Sequence, residues 1–156
     1  MFNSDTIPPG ITVGVQPDGQ RVDLSAFKAA AHYSARIAGG SVVRFDFDRP
    51  YTSYVHAVLD QPGGAVTVLC NRAYPAVAFS NETESVYMTH PFVEAPTLSA
   101  AFSDSSFQTV PLSVLTAPPA DISLGALSES ERKTVRYWIK YGRLHQAGDL
   151  IFNNWD

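Results

Sequence analysis

The stretch S-E-S-E-R-K-T-V-R-Y-W-I-K-Y-G, residues 128–142, contains the beginning, the body and the end of one helix. Ser128 and Glu131 have the spacing of a capping box, in which each side chain bonds the backbone N–H of the other residue. Gly142 is suited to a left-handed helix end. A buried stripe at helical spacing is predicted for Val135, Trp138, Ile139 and Gly142. The stretch therefore predicts a helix over about residues 128–141.

The charges of this stretch agree with a helix. Glu129 and Glu131 stand at the predicted start and Lys140 and Arg143 near the end, as the helix dipole favours. The remaining basic residues fall mostly on the face opposite the stripe, which we interpret as a solvated helix surface. After Gly148, the apolar run 149–153 predicts a short strand that follows the helix.

The first half of the chain predicts a helix followed by a β-meander. Ser25 is a candidate cap for a helix that runs to about residue 38, where Gly39 and Gly40 end it. Strands are expected over 41–47, 51–60 and 65–71, joined by turns rich in Pro and Gly. In the first strand, Val43, Phe45 and Phe47 are expected on one side. A short strand is also expected over 11–15.

The second half predicts smaller elements. Residues 76–80 and 86–89 suggest two further short strands, and 97–102 is ambiguous between helix and strand. Residues 107–115 contain Pro111, which favours an edge strand or a loop. The fold class expected is α+β, an antiparallel sheet of about five or six strands with helices at about 25–38 and 128–141 packed on it.

Composition limits the possible functions. The chain has 156 residues, 45% of them hydrophobic and 17% charged, which predicts one globular domain over residues 1–156. The net charge of −4 argues against binding to nucleic acid or to an anionic membrane. With a single cysteine, Cys70, no internal disulfide can form. The first residues lack the features of a signal peptide, so a cytoplasmic protein is expected.

Charge is unevenly distributed along the chain. Residues 73–127 contain no Lys or Arg, and their acidic residues are Glu82, Glu84, Glu94, Asp104 and Asp121. This distribution predicts an acidic face for a basic partner. The binding residues expected are Glu82, Glu84 and Asp104, together with Tyr51 and Tyr54, two tyrosines beside a turn that are expected to be exposed.

Catalytic motifs are not found in the sequence. Serines do not occur in G-x-S-x-G, and no phosphate-binding glycine loop is present, so no cofactor is expected. Asp46 and Asp48 share one strand face at a spacing that suits a metal, but the sequence supplies no third ligand and we predict no metal site. His56 and His90 are possible general bases without an identified partner.

Three functions remain open. The leading hypothesis is a non-catalytic protein-binding domain, and its concrete version is a bacterial immunity protein that inhibits a toxin through an acidic surface. The first alternative is a small hydrolase that uses Asp46 and Asp48 with His56 or His90. The second alternative is a structural or assembly subunit. No nucleic-acid or membrane partner is expected, and an enzyme is less favoured than a binding protein.

Overall fold

The computed structural model describes residues 6–81 and 90–154. Its first helix, α1, spans Leu24–Ile37. The Asp23 side chain caps the helix by accepting hydrogen bonds from the N–H groups of Ser25 and Ala26, so the cap lies two residues before the predicted Ser25. The chain leaves the helix through Gly39, whose φ of 82° lies in the left-handed region.

An antiparallel meander forms the centre of the molecule. Its strands are β1 Ser41–Asp46, β2 Tyr54–Gln61, β3 Gly64–Asn71 and β4 Ala76–Ser80. Two short strands, β5 Phe92–Val93 and β6 Gln108–Thr109, complete the sheet. The order is β1-β2-β3-β4-β5, with β6 paired to β4. The α+β fold with a five- to six-stranded antiparallel sheet is confirmed; the strand expected over 86–89 lies outside the described residues.

A β-bulge changes the predicted alternation of the first strand. The β1–β2 register shifts between Val42 and Arg44, so Val43 has no partner in the ladder. Val43 is the extra residue of the bulge, so its side chain points away from the face of Phe45 and Phe47 and is 58% exposed. Phe45 and Phe47 both contact Phe27 of α1. The prediction that Val43 shares the inner face of the two phenylalanines was wrong.

Helices cover one face of the sheet. The second helix, α2, spans Pro96–Asp104, which resolves the ambiguous segment as helical. Phe27 of α1 lies between Phe102, Phe107 and Phe45 at ring-centroid distances of 5.9–6.4 Å. The sheet residues of this apolar layer are Val55, Ala57, Leu59, Val66, Val68, Cys70, Val77 and Phe79. We term it the helix-covered face.

Segments from both halves of the chain cover the opposite face. They comprise residues 7–12, α3 Leu112–Leu115, a 3₁₀ turn Pro119–Asp121, α4 Glu129–Lys140 and α5 Gly148–Ile151. The sheet residues on this side include Tyr54, Leu69, Ala76 and Ala78, packed with Ile11, Val135 and Phe152. We term it the tail-covered face.

Two predicted strands are absent from the tail-covered face. Residues 149–153 form α5 and a polar tail, and only Thr52 and Asn154 make an isolated bridge. The tail does not join the ladder, because Asn153 bonds the Ser53 backbone and side chain and the Thr12 carbonyl instead. Residues 11–15 form turns in which three N–H groups converge on the Gly10 carbonyl.

The predicted C-terminal helix is confirmed. The capping box of Ser128 and Glu131 is formed, and Gly142 has a φ of 67° just after the helix. The predicted stripe is only partly buried, since Ile139 is 38% exposed and the fully buried residues are Glu131 and Val135. Among the residues described, 6–81 and 90–154, no helix has the length and apolar character to cross a membrane.

Candidate functional site

The outer edge of β4 is shared by two short strands. Toward its start, Ala76 and Val77 pair in parallel with β6, and toward its end, Phe79 and Ser80 pair antiparallel with β5. The chain passes from β5 to β6 through α2, which packs beside β6 and α1. Because each short strand covers only part of β4, a recess remains between them.

This recess is a hollow of about 480 Å³. Its lining residues include Val93, Glu94, Pro96, Ser99, Thr109, Pro111 and Leu112. We term it the edge groove. Two further hollows, of about 310 and 440 Å³, share residues with it toward the start and the end of α2 respectively. Together they make a continuous concave surface along that helix.

The edge groove combines apolar walls with a few polar groups. The Ser99 hydroxyl donates to Thr109 Oγ1 at 2.7 Å and ties α2 to β6. Glu94 is exposed at the start of α2, and Asp104 is exposed at its end. Every residue that lines the groove belongs to the stretch 73–127, which has no Lys or Arg. Glu94 is therefore the one charged side chain among the described lining residues of the groove, and no basic side chain opposes it there.

Asp104, one of the predicted binding residues, is exposed. It lies at the last position of α2, where its Oδ2 accepts a weak hydrogen bond of 3.3 Å from the Tyr33 hydroxyl of α1. Glu82 and Glu84, the other predicted acidic residues, lie outside the described residues. Glu94 was counted among the acidic residues of the stretch, but sequence alone did not place it at a groove.

The two predicted tyrosines behave differently. Tyr51 is 63% exposed, in agreement with its predicted role at the surface. Tyr54 is only 1% exposed, so the prediction of its exposure was wrong. Its side chain points to the tail-covered face and contacts the rings of His90 and Phe152. It belongs to the core rather than to a binding surface.

Tyr51 occupies a strained position in the connection between β1 and β2. Its φ of 59° is in the left-handed region, which a residue with a bulky side chain rarely adopts. Arg72 fixes this connection by donating from Nη2 to the carbonyls of Phe47 and Arg49 and from Nε to that of Thr52. Tyr51 is thus an exposed aromatic side chain on a rigid loop.

Asp46 and His56 are brought together. Asp46 Oδ2 lies 3.7 Å from His56 Nε2 and 4.0 Å from Arg49 Nε. Burial lowers the pKa of His56, and the nearby Asp46 carboxylate only partly opposes this effect. His56 is 3% exposed and does not line the edge groove. Asp48 is exposed in the connection that follows.

His90 lies apart from Asp46 and Asp48 and packs within the tail-covered face. Its Nε2 lies 2.9 Å from the Phe152 carbonyl, and its backbone N–H donates to Asp149. Burial lowers the pKa of His90 to about 4. The ring is therefore neutral near pH 7, with the proton on Nε2 because a carbonyl only accepts.

Cys70 is unsuited to nucleophilic catalysis. Cys70 is fully buried, and burial raises the pKa of its thiol. Within the described part of the chain, no three or more His, Cys, Asp or Glu side chains are grouped so that they could hold a metal ion.

Neither a family model, nor a curated protein, nor a solved structure matches this chain.

Proposed function

We propose that this protein is a non-catalytic protein-binding domain whose partner presents a basic surface. The observation that carries the proposal is the edge groove, a concave surface built from a segment without Lys or Arg and lined in part by exposed Glu94. Asp104 is exposed at the end of α2, next in sequence to Ser103, which lines the adjoining hollow. Apolar walls supply area to bury, and carboxylates at the rim attract and orient a cationic partner.

The concrete form of this proposal is a bacterial immunity protein that inhibits a toxin. A toxin that acts on nucleic acid needs a cationic cleft for the phosphate backbone. An acidic inhibitor can occupy such a cleft, and opposite charge accelerates the encounter. Tyr51 supports a protein partner as well, because a rigid exposed aromatic side chain loses little conformational freedom on binding.

The experiment is affinity capture from the native cell, followed by binding measurements with the purified partner. The product of the neighbouring gene is tested in parallel. Single charge reversals at Glu82, Glu84, Glu94 and Asp104 are each expected to slow association up to about tenfold at low salt. The matched control is Asp18→Lys, which makes the same charge change in an exposed turn outside the segment.

For the immunity version, the partner is expressed in a bacterium with and without this protein. Wild-type protein should restore growth, and the combined variant E94K/D104K should restore it less well. An affinity that is indifferent to all four reversals contradicts the acidic-surface proposal, whatever the partner proves to be.

A small hydrolase is the second candidate, and the contact of Asp46 with His56 is the observation that favours it. In that mechanism His56 acts as a base and Asp46 orients the ring. Because His56 is buried, a substrate would have to displace the residues that cover it. Hydrolysis of a chromogenic ester panel that disappears in H56N, but not in H32N, would support this candidate over the binding protein.

A further inference from the structure

The outward face of α4 is the most cationic helix surface of the protein. Five of the eleven basic residues lie between Arg132 and Arg143. Lys133, Arg136 and Lys140 are exposed on the side of α4 opposite the buried Glu131 and Val135. Among the described residues, neither Lys133 nor Arg136 has an ion-pair partner.

Two tyrosines stand on the same face. Tyr137 and Tyr141 are 52% and 59% exposed, and their ring centroids are 4.6 Å apart. The Lys140 ammonium group lies 5.5 Å from the Tyr141 ring centroid. Exposed tyrosines interleaved with cations are typical of protein interfaces, because the rings bury area and keep a polar tip. We term this surface the α4 face.

The α4 face and the edge groove have complementary charges. The α4 face carries cations and tyrosines. The edge groove has apolar walls with Glu94 in its lining, and Asp104 is exposed at the end of α2, next to the lining residue Ser103 of the adjoining hollow. Their dimensions are similar, since α2 extends over about 13 Å and Lys133 to Lys140 over about 10 Å at the helical rise per residue. The acid at the start of α4, Glu129, lies beyond the cationic and aromatic positions.

The two surfaces cannot meet within one molecule. The edge groove opens at the outer edge of β4, whereas the exposed residues of the α4 face lie on the side of α4 opposite its buried Glu131 and Val135. A contact between the surfaces therefore requires two copies. Since different patches take part on each copy, the contact is head-to-tail and can repeat.

We propose that the α4 face docks in the edge groove of a second copy, in a reversible head-to-tail association. Like the proposed function, this inference requires that the edge groove is a docking surface. The occupant differs: here it is the α4 face of a second copy, and in the proposed function it is a basic partner protein. A basic partner protein and the α4 face of a neighbour would then compete for the same groove.

Sedimentation velocity over a concentration series tests the association. The net charge of −4 makes copies repel at long range, whereas the complementary charges attract at contact. At about 0.1 M salt the Debye length is about 10 Å, so the contact attraction persists; at about 1 M it is about 3 Å, and association should fall. Sedimentation as a monomer up to about 1 mM protein at the lower salt would overturn the proposal.

Charge-reversed variants locate the contact. K133E/R136E alters the α4 face, and E94K/D104K alters the groove; each alone should weaken self-association at least tenfold. An equimolar mixture of the two should associate again, because each supplies the surface that the other lacks. K28E/R36E, with the same charge change on exposed positions of α1, should behave as wild type. A mixture that stays monomeric would contradict the pairing of these two surfaces.

Two further measurements separate the alternatives. Y137A/Y141A should weaken self-association without changing the far-ultraviolet circular dichroism spectrum. If wild-type protein binds a fluorescent single-stranded oligonucleotide and loses that binding in Y137A/Y141A, the α4 face serves nucleic acid and the proposal fails. K133E/R136E keeps an intact groove, so it should still capture the basic partner; failure of self-association alone leaves the proposed function standing.

Discussion

The two faces of the sheet are covered in different ways. On the helix-covered face, α1 and α2 bring apolar side chains, and Phe27 is packed among four other phenylalanines. On the tail-covered face, buried polar groups connect distant segments, among them Asn71, Asn153, Glu131 and His90. The helix-covered layer is held mainly by hydrophobic burial, whereas the tail-covered layer combines a hydrophobic cluster with directional hydrogen bonds. We therefore expect the second layer to be the one that responds to pH.

The largest effect is expected on the helix-covered face. Phe27→Ala removes a fully buried ring and leaves a cavity, which should lower the free energy of unfolding by about 4 kcal/mol. Urea unfolding measures the loss, and it should be the same at pH 5 as at pH 7 within about 0.5 kcal/mol, because no titratable group is removed. A loss that depends strongly on pH would contradict the assignment of this face to hydrophobic burial. Phe27→Leu is the milder control.

The tail-covered face should make the protein sensitive to acid through His90. Its pKa is about 4 when folded and about 6.5 when exposed, so the unfolded chain binds more protons between these values. Stability should therefore fall by about 3 kcal/mol from this residue as pH drops through that window. In H90Q the free energy of unfolding should fall by about 3 kcal/mol less over the same pH range. Urea unfolding at several pH values measures this difference. H32Q, which changes an exposed histidine, should keep the wild-type slope.

Asn71 is expected to matter next. Its Nδ2 donates to the carbonyls of Ile11 and Ile151, and its Oδ1 accepts from the N–H groups of Ala73 and Tyr74. Asn71→Ala removes the amide from all four groups, of which the Ile151 carbonyl keeps its bond from the Ser53 hydroxyl, and should cost about 2 to 3 kcal/mol. Thermal unfolding is a suitable measurement, with exposed Asn81→Ala as the control. If Asn71→Ala lowered the unfolding temperature no more than Asn81→Ala does, water would have replaced the hydrogen bonds of the Asn71 amide.

Glu131 connects α4 to the N-terminal segment. Burial by itself would raise the pKa of Glu131, but hydrogen bonds from Thr12, Gly10 and Ser128 together lower it. Because its pKa is lower in the folded protein than in the unfolded chain, ionised Glu131 stabilises the fold at pH values above the unfolded pKa. This stabilisation is lost as the pH falls through the folded pKa. Glu131→Gln should thus cost about 2 kcal/mol at pH 7 and less in acid. Glu129→Gln is the exposed control, and an equal loss at all pH values would contradict the role of the carboxylate charge.

The smallest effect is expected at Tyr51, which belongs to neither face. Tyr51→Gly removes the conformational strain of a left-handed residue and should raise the free energy of unfolding by about 1 kcal/mol. Tyr51→Ala keeps a Cβ at the same φ and should give no such gain. If the proposed function is correct, both variants bind the partner more weakly. A destabilised Tyr51→Gly variant would show that the ring packs on the loop.

Local signals in the sequence were sufficient for the elements that form by themselves. The helix 128–141 and the meander follow from caps, periodicity and turns, all of which act within a few residues. The capping box of Ser128 and Glu131 was visible for the same reason. The bonds of that carboxylate to Gly10 and Thr12 were not, because they join residues separated by 121 and 119 positions.

The errors on residues 149–153 and on Tyr54 have a common physical cause. Residues 149–153 are as apolar as a strand, but their polar neighbours find partners in distant loops, so α5 and a tail form instead. In the sequence, Tyr51 and Tyr54 are equally plausible as surface residues. In the structure, His90 and Phe152 cover Tyr54, whereas Tyr51 is exposed. The acidic composition of residues 73–127 was readable, whereas the edge groove depends on the parallel pairing of β6 with β4.

The hydrogen bond from Asn153 Nδ2 to the Thr12 carbonyl joins residues 141 positions apart, and it has a consequence for synthesis. A chain emerging from the ribosome can complete the meander and α1 early, since their contacts are close in sequence. The cover over Tyr54 and Leu69 has to wait for Phe152 and Asn153. Contacts of such high sequence separation are slow to form, so the nascent protein exposes this apolar surface until residues 152 and 153 have been made, and chaperones can bind it in that interval.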